Sequence, residues 1–297
     1  MKGKGFNWKA GSVFVVYHAL LAVTLPFYVI YAPPNATLLV ATCVVIALCG
    51  VTLTSLYHRH YSHRAYDLSK PAEVVLLFFG TLIGQGSVFD WAFDHRRHHK
   101  YTETELDPHA ITRGFWHAHI LWIFEKRPPL DERVIHDLTR SRLLRFQHDH
   151  YGLLFLTSSV STCLFLGWIS GDWLGGFYVG FLVRLFISHH CTFCINSLAH
   201  YWGSKPFAPE QTAANNVLCS LITFGEGQHN YHHVFPYDYR IGDKLTHWDP
   251  GKWLIWTLER VGLASNLKRA RPERIQATRE QAGVTGSSQP PASAPTN

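Results

Sequence analysis

The chain contains 20 histidines, and nine of them cluster at spacings typical of metal ligands. Two triplets share the pattern HxxHH, which on a helix places the three rings on one face. An HxxxxH pair and a single histidine in NSLAHYWG accompany them. The candidate ligands are His58, His63, His95, His98, His99, His200, His229, His232 and His233. Imidazole is the usual neutral nitrogen ligand for iron, copper, zinc or nickel.

Nine neutral imidazoles supply neither negative charge nor thiolate, and they exceed the four ligands of a structural zinc site or the three of a catalytic one. They suit two metal ions of higher coordination number, and two iron ions with open positions for water or dioxygen fit best. Four nearby carboxylates are expected to orient imidazole N–H groups: Asp94, Glu103, Asp107 and Glu226. His60 lies inside the first cluster, and we expect it to point away from the metals.

The composition indicates a membrane protein. Hydrophobic residues make up 47% of the chain and charged residues only 16%, whereas soluble domains carry about 25% charged residues. The net charge of +6 fits contact with anionic lipid heads or anionic substrates. Nucleic acid is not an expected partner, since no basic stripe interleaves with aromatic residues. Cys191 and Cys194 form an isolated CxxC, which we interpret as structural, and a reducing cytosolic face fits the six cysteines.

Four apolar runs are long enough to span a bilayer, and two short turns, APPNA and SGDW, pair them into two hairpins. The predicted spans are residues 13–31, 37–57, 151–170 and 173–195. By the positive-inside rule, the side of the membrane that carries the basic residues of segment 1–12 and around Arg59 is the cytosolic side. An even number of spans then puts both termini and every histidine cluster on that side. The sequence predicts one domain, 13–275, with a helical cytosolic cap of residues 58–150 and 196–275, followed by a disordered tail, 276–297.

Local patterns give four further predictions. Five residues turn an α-helix by about 500°, so His58 and His63 do not share a face, and the helix should end or bend between them. Residues 72–89 should form an interfacial or re-entrant helix, which keeps the second cluster on the same side as the first. Residues 251–263 should form an amphipathic surface helix. Arg184, within the fourth span, should face the protein interior or an interface.

Several of these stretches are similar to a known family. HRHYSH, HRRHHKYTETELDPH, NSLAHYWG and GEGQHNYHHVFPYDYR resemble the histidine boxes of membrane-bound fatty acid desaturases, above all the stearoyl-CoA (Δ9) acyl-CoA desaturase type. The likeness covers about residues 35–265. The resemblance implies four membrane helices, a cytosolic cap, the nine histidines as ligands of a di-iron centre, and Asn196 as a further ligand through water. It also implies that O2 and two electrons remove two hydrogens from a saturated acyl chain and leave a cis double bond.

The resemblance also suggests how the substrate would lie, with acyl-CoA as the expected substrate. Gln85 and Trp91 match positions near the family's bent substrate tunnel, and Thr42 and Ile46 of the second span are expected to close the tunnel and set chain length. Contacts to a CoA or phospholipid head are expected from basic residues, among them Arg64, Arg96, Arg97, Lys100, Arg113 and Lys126.

Electrons are expected from a separate protein, because the sequence contains neither the haem-binding HPGG motif nor a GxGxxG fingerprint. Cytochrome b5, or ferredoxin or rubredoxin with a reductase, would serve. We expect a bacterial cytoplasmic membrane rather than the endoplasmic reticulum. An acyl-lipid desaturase and a lipid hydroxylase remain alternatives within the same superfamily, and a haem-binding membrane electron carrier is the non-enzyme alternative.

Overall fold

The computed structural model describes residues 5–286, which form a helical protein with one small pair of strands. The helices are α1 (Trp8–Tyr31), α2 (Ala36–Thr52), α3 (Lys70–Leu82), α4 (Val88–Tyr101), α5 (Phe115–His119), α6 (His136–Thr139), α7 (Arg142–Asp149), α8 (Tyr151–Ser170), α9 (Trp173–Phe177), α10 (Arg184–Asn196), α11 (Leu198–Tyr201), α12 (Val217–Ile222), α13 (His229–Val234), α14 (Pro250–Arg260) and α15 (Pro272–Gly286). Two π-helical stretches, Leu53–Ser62 and Tyr178–Val183, continue α2 and join α9 to α10. Short 3₁₀ turns lie at Ile111–Arg113 and Leu121–Phe124, and β1 (Asp67–Leu68) pairs antiparallel with β2 (Ala264–Ser265).

Four helical stretches are long and apolar enough to cross a membrane: Trp8–Tyr31, Ala36–Ser62, Tyr151–Ser170 and Trp173–Tyr201. They confirm the four predicted spans, although the first begins earlier than predicted and the second and fourth continue further. Large apolar side chains on their outer faces, such as Val23, Val40 and Leu156, are exposed. An apolar outer surface is what a lipid environment favours, and the chain is therefore an integral membrane protein.

Polar contacts hold the two hairpins together at their turns. The Tyr28 hydroxyl donates to Asp172 Oδ2 at 2.7 Å, and the Asn35 amide donates to the Ser170 carbonyl at 2.8 Å. Asp172 also caps α9 by accepting from the Gly175 N–H at 2.7 Å. These bonds cross from the first hairpin to the second, so both turns lie at the same end of the bundle.

The opposite end of the bundle carries the cap, which we define as residues 63–150 and 202–286. The chain just before α1 is attached to it, because the Lys126 N–H donates to the Gly5 carbonyl and the Asn7 N–H donates to the Phe124 carbonyl, each at 2.7 Å. The first span therefore starts beside the cap, as predicted, and residues 1–4 lie outside the described part of the chain.

The second span differs from its prediction in a way that matters for the site. The helix ends at Ser62, between His58 and His63 as predicted, but its last ten residues, Leu53–Ser62, form a π-helix. The His63 N–H donates to the His58 carbonyl at 3.2 Å. A π-helix closes its turns from i to i+5, so residues five apart come onto the same side. The expectation that His58 and His63 do not share a face was wrong, because it assumed α-helical geometry throughout; their ring centroids are 4.9 Å apart.

The segment between the second and third spans folds back on itself. Helix α3 has 13 residues, too few to cross a bilayer, and Gly84 and Gly86 follow it at φ +81° and +94°. Glycine adopts this left-handed region without steric cost. Ser87 then caps α4, whose later turns carry His95, His98 and His99. The short helix agrees with the prediction that this segment does not form a full span.

Arg184 faces the protein interior, as expected, and donates to the Leu82 and Gly180 carbonyls at 2.6 and 2.9 Å. Helix α14 agrees with the predicted surface helix, since it exposes Trp253 and Trp256 and buries Ile255.

The predicted disorder from residue 276 onward is wrong for residues 276–286, which belong to α15. Ile275 anchors this helix in a buried cluster with Phe207, Tyr231 and Phe235. The following residues are mostly good helix formers, so one apolar anchor is sufficient to hold a polar helix on the cap. The rest of the predicted disordered tail, residues 287–297, lies outside the described residues.

Candidate metal centre

The nine candidate histidines meet in two groups where the spans enter the cap. The first group comprises His58, His63, His95, His99 and His232, and the second comprises His98, His200, His229 and His233. Within each group, one ring nitrogen from every residue lies within 4.8 Å of the others. The structure therefore brings all nine residues together and divides them between two centres.

The Nε2 atoms point at one another inside each group. In the first group the separations are 2.9 Å for His58–His232, 2.8 Å for His63–His95 and 3.0 Å for His99–His232. In the second group they are 3.3 Å for His98–His233 and 3.1 Å for both His200–His229 and His229–His233.

These distances suit metal ions better than hydrogen bonds between rings. The Nε2 of a neutral imidazole offers one proton or one lone pair, yet His232 Nε2 faces His58 and His99 together. Two nitrogens bound at about 2.1 Å and at right angles would be about 3 Å apart. The residues present therefore fit two metal ions, one in each group.

Each HxxHH triplet contributes to both groups. On α4, His95 and His99 belong to the first group and His98 to the second. On α13 the assignment is reversed, because His229 and His233 belong to the second group and His232 to the first. On a helix, residue i+4 lies about 40° from residue i around the axis, whereas residue i+3 lies about 60° from residue i in the opposite direction. Two helices of the same pattern can therefore share two metals between them.

Carboxylates lie against the outer nitrogens of several rings. Nδ1 of His58 is 2.9 Å from Glu226 Oε2, and Nδ1 of His98 is 3.0 Å from both oxygens of Asp107. Such partners fix ring orientation and tautomer in metal sites.

Glu103 acts one step further out from the second group. It accepts a hydrogen bond from the Thr212 hydroxyl at 2.6 Å, and Thr212 Oγ1 lies 2.9 Å from His200 Nδ1. Asp94 does not fulfil its expected role, because it pairs with Arg127 at 3.2 Å instead of with an imidazole. His60 lies outside both groups and contacts the Tyr66 carbonyl at 2.9 Å.

Burial keeps the site's imidazoles neutral. It lowers the pKa of His63, His95, His99, His229, His232 and His233 well below the ordinary value, and neighbouring rings lower these pKa values further. Burial also raises the pKa of Glu226 to about 7, although Arg59 acts in the opposite direction. A neutral imidazole has the free lone pair that metal binding requires.

A cavity of about 570 Å³ leads from the cap surface to the first group of histidines. His58 and His95 line it, as do the predicted residues Gln85, Trp91 and Asn196. The Trp91 ring stacks on His95 with centroids 4.8 Å apart, and the Gln85 amide donates to Thr192 Oγ1 at 2.6 Å. The role of Asn196 as a ligand through water remains a prediction.

The cavity continues toward the second span. Leu53, Thr192 and Ile195 line both the large cavity and a small cavity of about 10 Å³, which Ile46 also lines. Ile46 thus lies beyond the residues that the two cavities share, and its role in closing a substrate path remains a prediction. Thr42 is buried one helical turn further along α2, and its Oγ1 has no hydrogen-bond partner within residues 5–286.

The predicted head-group contact by Arg96 is wrong. Its guanidinium donates to the carbonyls of Ser62, Tyr61 and Val134 and to both oxygens of Asp137, at 2.6–3.0 Å. All five N–H donors are thus used inside the protein. Arg113 forms a two-point ion pair with Glu125 on the surface, and its contact with substrate remains a prediction.

Two features of the site were not predicted. His109 is buried, lines the large cavity and packs against His98 with ring centroids 4.5 Å apart. Arg59 is buried beside Glu226 and forms a two-point pair with Asp249. The DPH motif that contains Asp107 and His109 was the only sequence signal near the first feature. Arg59 and Asp249 are 190 residues apart, and nothing in the local sequence connects them.

Fold and site together define a helical membrane protein with two histidine groups suited to metals at one end of its bundle. Haem is a poor alternative, since haem iron takes one or two axial ligands from the protein and these groups converge five and four rings. The sequence model of the fatty acid desaturase family matches residues 35–245. The chain belongs to the fatty acid desaturase family.

Curated relatives support the assignment. A probable acyl-CoA desaturase of Schizosaccharomyces pombe is 38% identical over 87% of this chain and 56% of its own length. Acyl-CoA desaturase 1 of Saccharomyces cerevisiae is 42% identical over 77% of this chain and 46% of its own length. An acyl-CoA Delta-9 desaturase of Acheta domesticus is 32% identical over 93% of this chain and 79% of its own length. The chain thus spans about half the length of the two yeast relatives and most of the cricket relative.

Proposed function

We propose that this protein is an acyl-CoA desaturase that introduces a cis double bond, at the Δ9 position, into a saturated fatty acyl chain. The reaction would consume O2, two electrons and two protons, convert one CH2–CH2 unit to CH=CH and release two molecules of water. The observation that carries the proposal is the convergence of nine imidazole Nε2 atoms on two points beside a cavity. The names of the relatives supply the substrate class.

The proposed cofactor is a pair of iron ions. His58, His63, His95, His99 and His232 would hold one ion, and His98, His200, His229 and His233, with Asn196 through water, would hold the other. When bound, the iron pair would activate O2, the oxidant that removes hydrogen from an unactivated C–H bond. The protein's part is to keep the nine rings neutral and fixed, with Asp107, Glu226 and Glu103 against their outer nitrogens.

The cavity would select the carbon that reacts. An alkyl chain has no chemical handle, so position depends on how the chain is held. Its polar head would stay near Lys9 and Arg127 at the cavity mouth, and its tail would pass Trp91 and His95 toward Ile46. The Trp91 ring, stacked on His95, would form one wall of this path and keep water from the reacting carbons.

Electrons would come from a separate carrier protein: cytochrome b5, ferredoxin or rubredoxin with its reductase. We also propose that the cap faces the cytosol, in agreement with the positive-inside rule. The three relatives named above are eukaryotic, and the expected bacterial cytoplasmic membrane remains a prediction.

The test is expression in a host that lacks its own unsaturated fatty acids, with mass spectrometry of total fatty acids. We expect products two mass units lighter than the saturated chain, with the double bond at carbon 9. A gain of sixteen mass units would favour a lipid hydroxylase instead. Assays on purified acyl-CoA and on phospholipid acyl chains would separate the acyl-CoA substrate from the acyl-lipid alternative.

A matched pair of variants links this activity to the site. His232→Ala removes the ring whose Nε2 faces both His58 and His99, and it should abolish product. His60→Ala removes a ring outside both groups and should leave product formation and iron content close to those of the wild type. Retained activity in His232→Ala, or an active purified protein without iron, would contradict the proposed centre.

A further inference from the structure

The cap has an exposed basic segment directly behind the helix that carries three of the nine histidines. We call residues 268–274 the basic segment, and its four cations are Lys268, Arg269, Arg271 and Arg274. All four are exposed. Three of them donate to uncharged oxygens: Lys268 to the Arg64 carbonyl, Arg269 to the Tyr239 hydroxyl and Arg274 to the Tyr237 hydroxyl. Within residues 5–286 none of the four forms an ion pair with a carboxylate, so their charge is available to a partner.

The basic segment is firmly attached to α13. Asp238, which is buried, accepts hydrogen bonds from the Ala270 N–H and from the Tyr231 hydroxyl, both at 2.8 Å. The Tyr239 N–H donates to the Lys268 carbonyl at 3.0 Å. One carboxylate therefore joins the segment to the helix that bears His229, His232 and His233. A partner bound on this segment would lie at a fixed position relative to the metal groups.

Aromatic rings fill the space between the surface cations and the histidines. The Arg274 guanidinium lies 5.8 Å from the centroid of the Phe235 ring. Phe235 packs on Tyr231 with centroids 5.0 Å apart, and both rings are fully buried. Phe235 follows His233 by two residues, and Tyr231 directly precedes His232. A path from the surface to a candidate metal ligand therefore needs one non-covalent contact, from Arg274 to Phe235, and then follows the backbone for two residues to His233.

The basic segment contacts the chain just past the end of the second span. That span ends at Ser62, and the chain continues through His63 to Ala65, whose carbonyl accepts from the Lys268 N–H at 2.9 Å. The segment is thus attached to the cap beyond the membrane helix. Such a position favours a water-soluble partner over the lipid surface.

We propose that the basic segment is the docking site for a one-electron carrier protein with an acidic surface. This inference rests on the proposed desaturation, which consumes two electrons for each O2 reduced. Two successive encounters would each deliver one electron, and the carrier would leave oxidised by one electron each time. Complementary charge raises the rate of encounter and fixes orientation, and the short path through α13 then makes this face suited to electron entry.

Binding tests the proposal directly. The protein is reconstituted in nanodiscs of zwitterionic lipid, and its Kd for oxidised cytochrome b5 and, in parallel, for oxidised ferredoxin is measured by surface plasmon resonance. The double variant Arg271→Glu/Arg274→Glu should raise the Kd about tenfold or more at low ionic strength for whichever of the two carriers binds the wild type. High salt should weaken wild-type binding, so that the Kd values of the wild type and of this double variant become similar. Arg140→Glu/Arg142→Glu, on exposed residues elsewhere on the cap, should leave the Kd within about twofold.

A chemical reductant separates this inference from the proposed function. The proteins are reduced anaerobically with dithionite, freed of excess reductant and then mixed with O2, and the product of this single turnover should be equal in the wild type and in both double variants, because a small reductant needs no docking surface. Equal Kd values for Arg271→Glu/Arg274→Glu and the wild type would overturn the docking site and favour anionic lipid as the ligand of these cations. Absence of desaturation by the wild type with dithionite would instead remove the proposed function, and the Kd comparison, made on oxidised carrier, would still decide the docking site.

Discussion

Asp107 holds His98 by both of its carboxylate oxygens, each 3.0 Å from Nδ1 of the ring. The carboxylate is fully buried, and it also accepts from the backbone N–H groups of Glu103 and His109 at 2.9 and 3.1 Å. Burial alone would raise the pKa of Asp107, but its contact with the His98 ring and its hydrogen bonds lower it below the ordinary value. A charged Asp107 thus fixes the His98 tautomer with Nε2 free to face the second group.

Replacing Asp107 with asparagine should therefore loosen the second metal. Asparagine keeps the volume but loses the charge and one acceptor. Loss of such an outer partner costs about 10–100-fold in metal affinity or activity. The measurement is the iron content of purified protein, by mass spectrometry, after dialysis against graded chelator.

Asp131→Asn is the matched control, because Asp131 is partly exposed, lies outside both histidine groups and pairs with Arg133. It should retain iron as the wild type does. If Asp107→Asn also retained iron against every chelator concentration, Asp107 would have no part in holding the site.

The candidate ligands could be predicted because their spacing is local. The spacing of an HxxHH triplet, as on α4 or α13, indicates that its three rings share one side of the helix, and this can be inferred without knowledge of the fold. How His95 and His98 divide between two centres depends on which rings approach from other elements. His200 and His58 come from separate spans, and only the tertiary structure brings them to opposite ends of the site.

Other parts of the structure could not be derived from local pattern. The π-helix that aligns His58 with His63 has the composition of an ordinary helix, and its geometry is decided by packing at the end of the span. Helix α15 was not predicted beyond residue 275 because a single buried side chain, that of Ile275, anchors an otherwise polar segment. Arg96 was taken for a surface cation because its sequence neighbours are polar, whereas its partners lie 34–41 residues away.

Substitutions at Ile46 should change the length of the acyl chain that the enzyme accepts. Ile46 lines the small cavity beyond Leu53, at the inner end of the proposed path. Ile46→Ala should open space for about one or two more carbons, and Ile46→Phe should exclude the longest substrate. The measurement is the distribution of product chain lengths when equimolar saturated acyl-CoA substrates compete.

Leu153→Ala serves as the control, since Leu153 is exposed on the outer face of α8. It should leave the distribution unchanged. The same product distribution in both Ile46 variants and the wild type would mean that the chain ends elsewhere.

Arg96 should prove to be a structural residue. Because all of its donors are used within the cap, Arg96→Ala leaves several buried acceptors without partners. The expected loss of stability is about 2–4 kcal/mol, visible as a lower midpoint of thermal unfolding in detergent. The KM for acyl-CoA of the protein that remains folded should be unchanged.

Arg113→Ala provides the comparison for Arg96, because Arg113 pairs with Glu125 at the surface. Its stability should change by less than about 1 kcal/mol. A raised KM in Arg96→Ala without loss of stability would restore the original prediction of a substrate contact.

The buried imidazole of His109 should contribute to loss of stability in acid. Burial lowers the pKa of His109 to about 3, whereas an unfolded histidine titrates near about 6.5. Between those two pH values the unfolded chain binds the extra proton, so this residue's contribution to stability falls as the pH is lowered from about 6.5 toward 3. The expected slope is about 1.4 kcal/mol per pH unit for one such ring.

His109→Gln, which cannot titrate, should show a flatter decline in unfolding midpoint between pH 7 and pH 5. The control His150→Gln, at an exposed position, should follow the wild type. Parallel curves for all three proteins would mean that His109 takes up its proton equally in the folded and unfolded states.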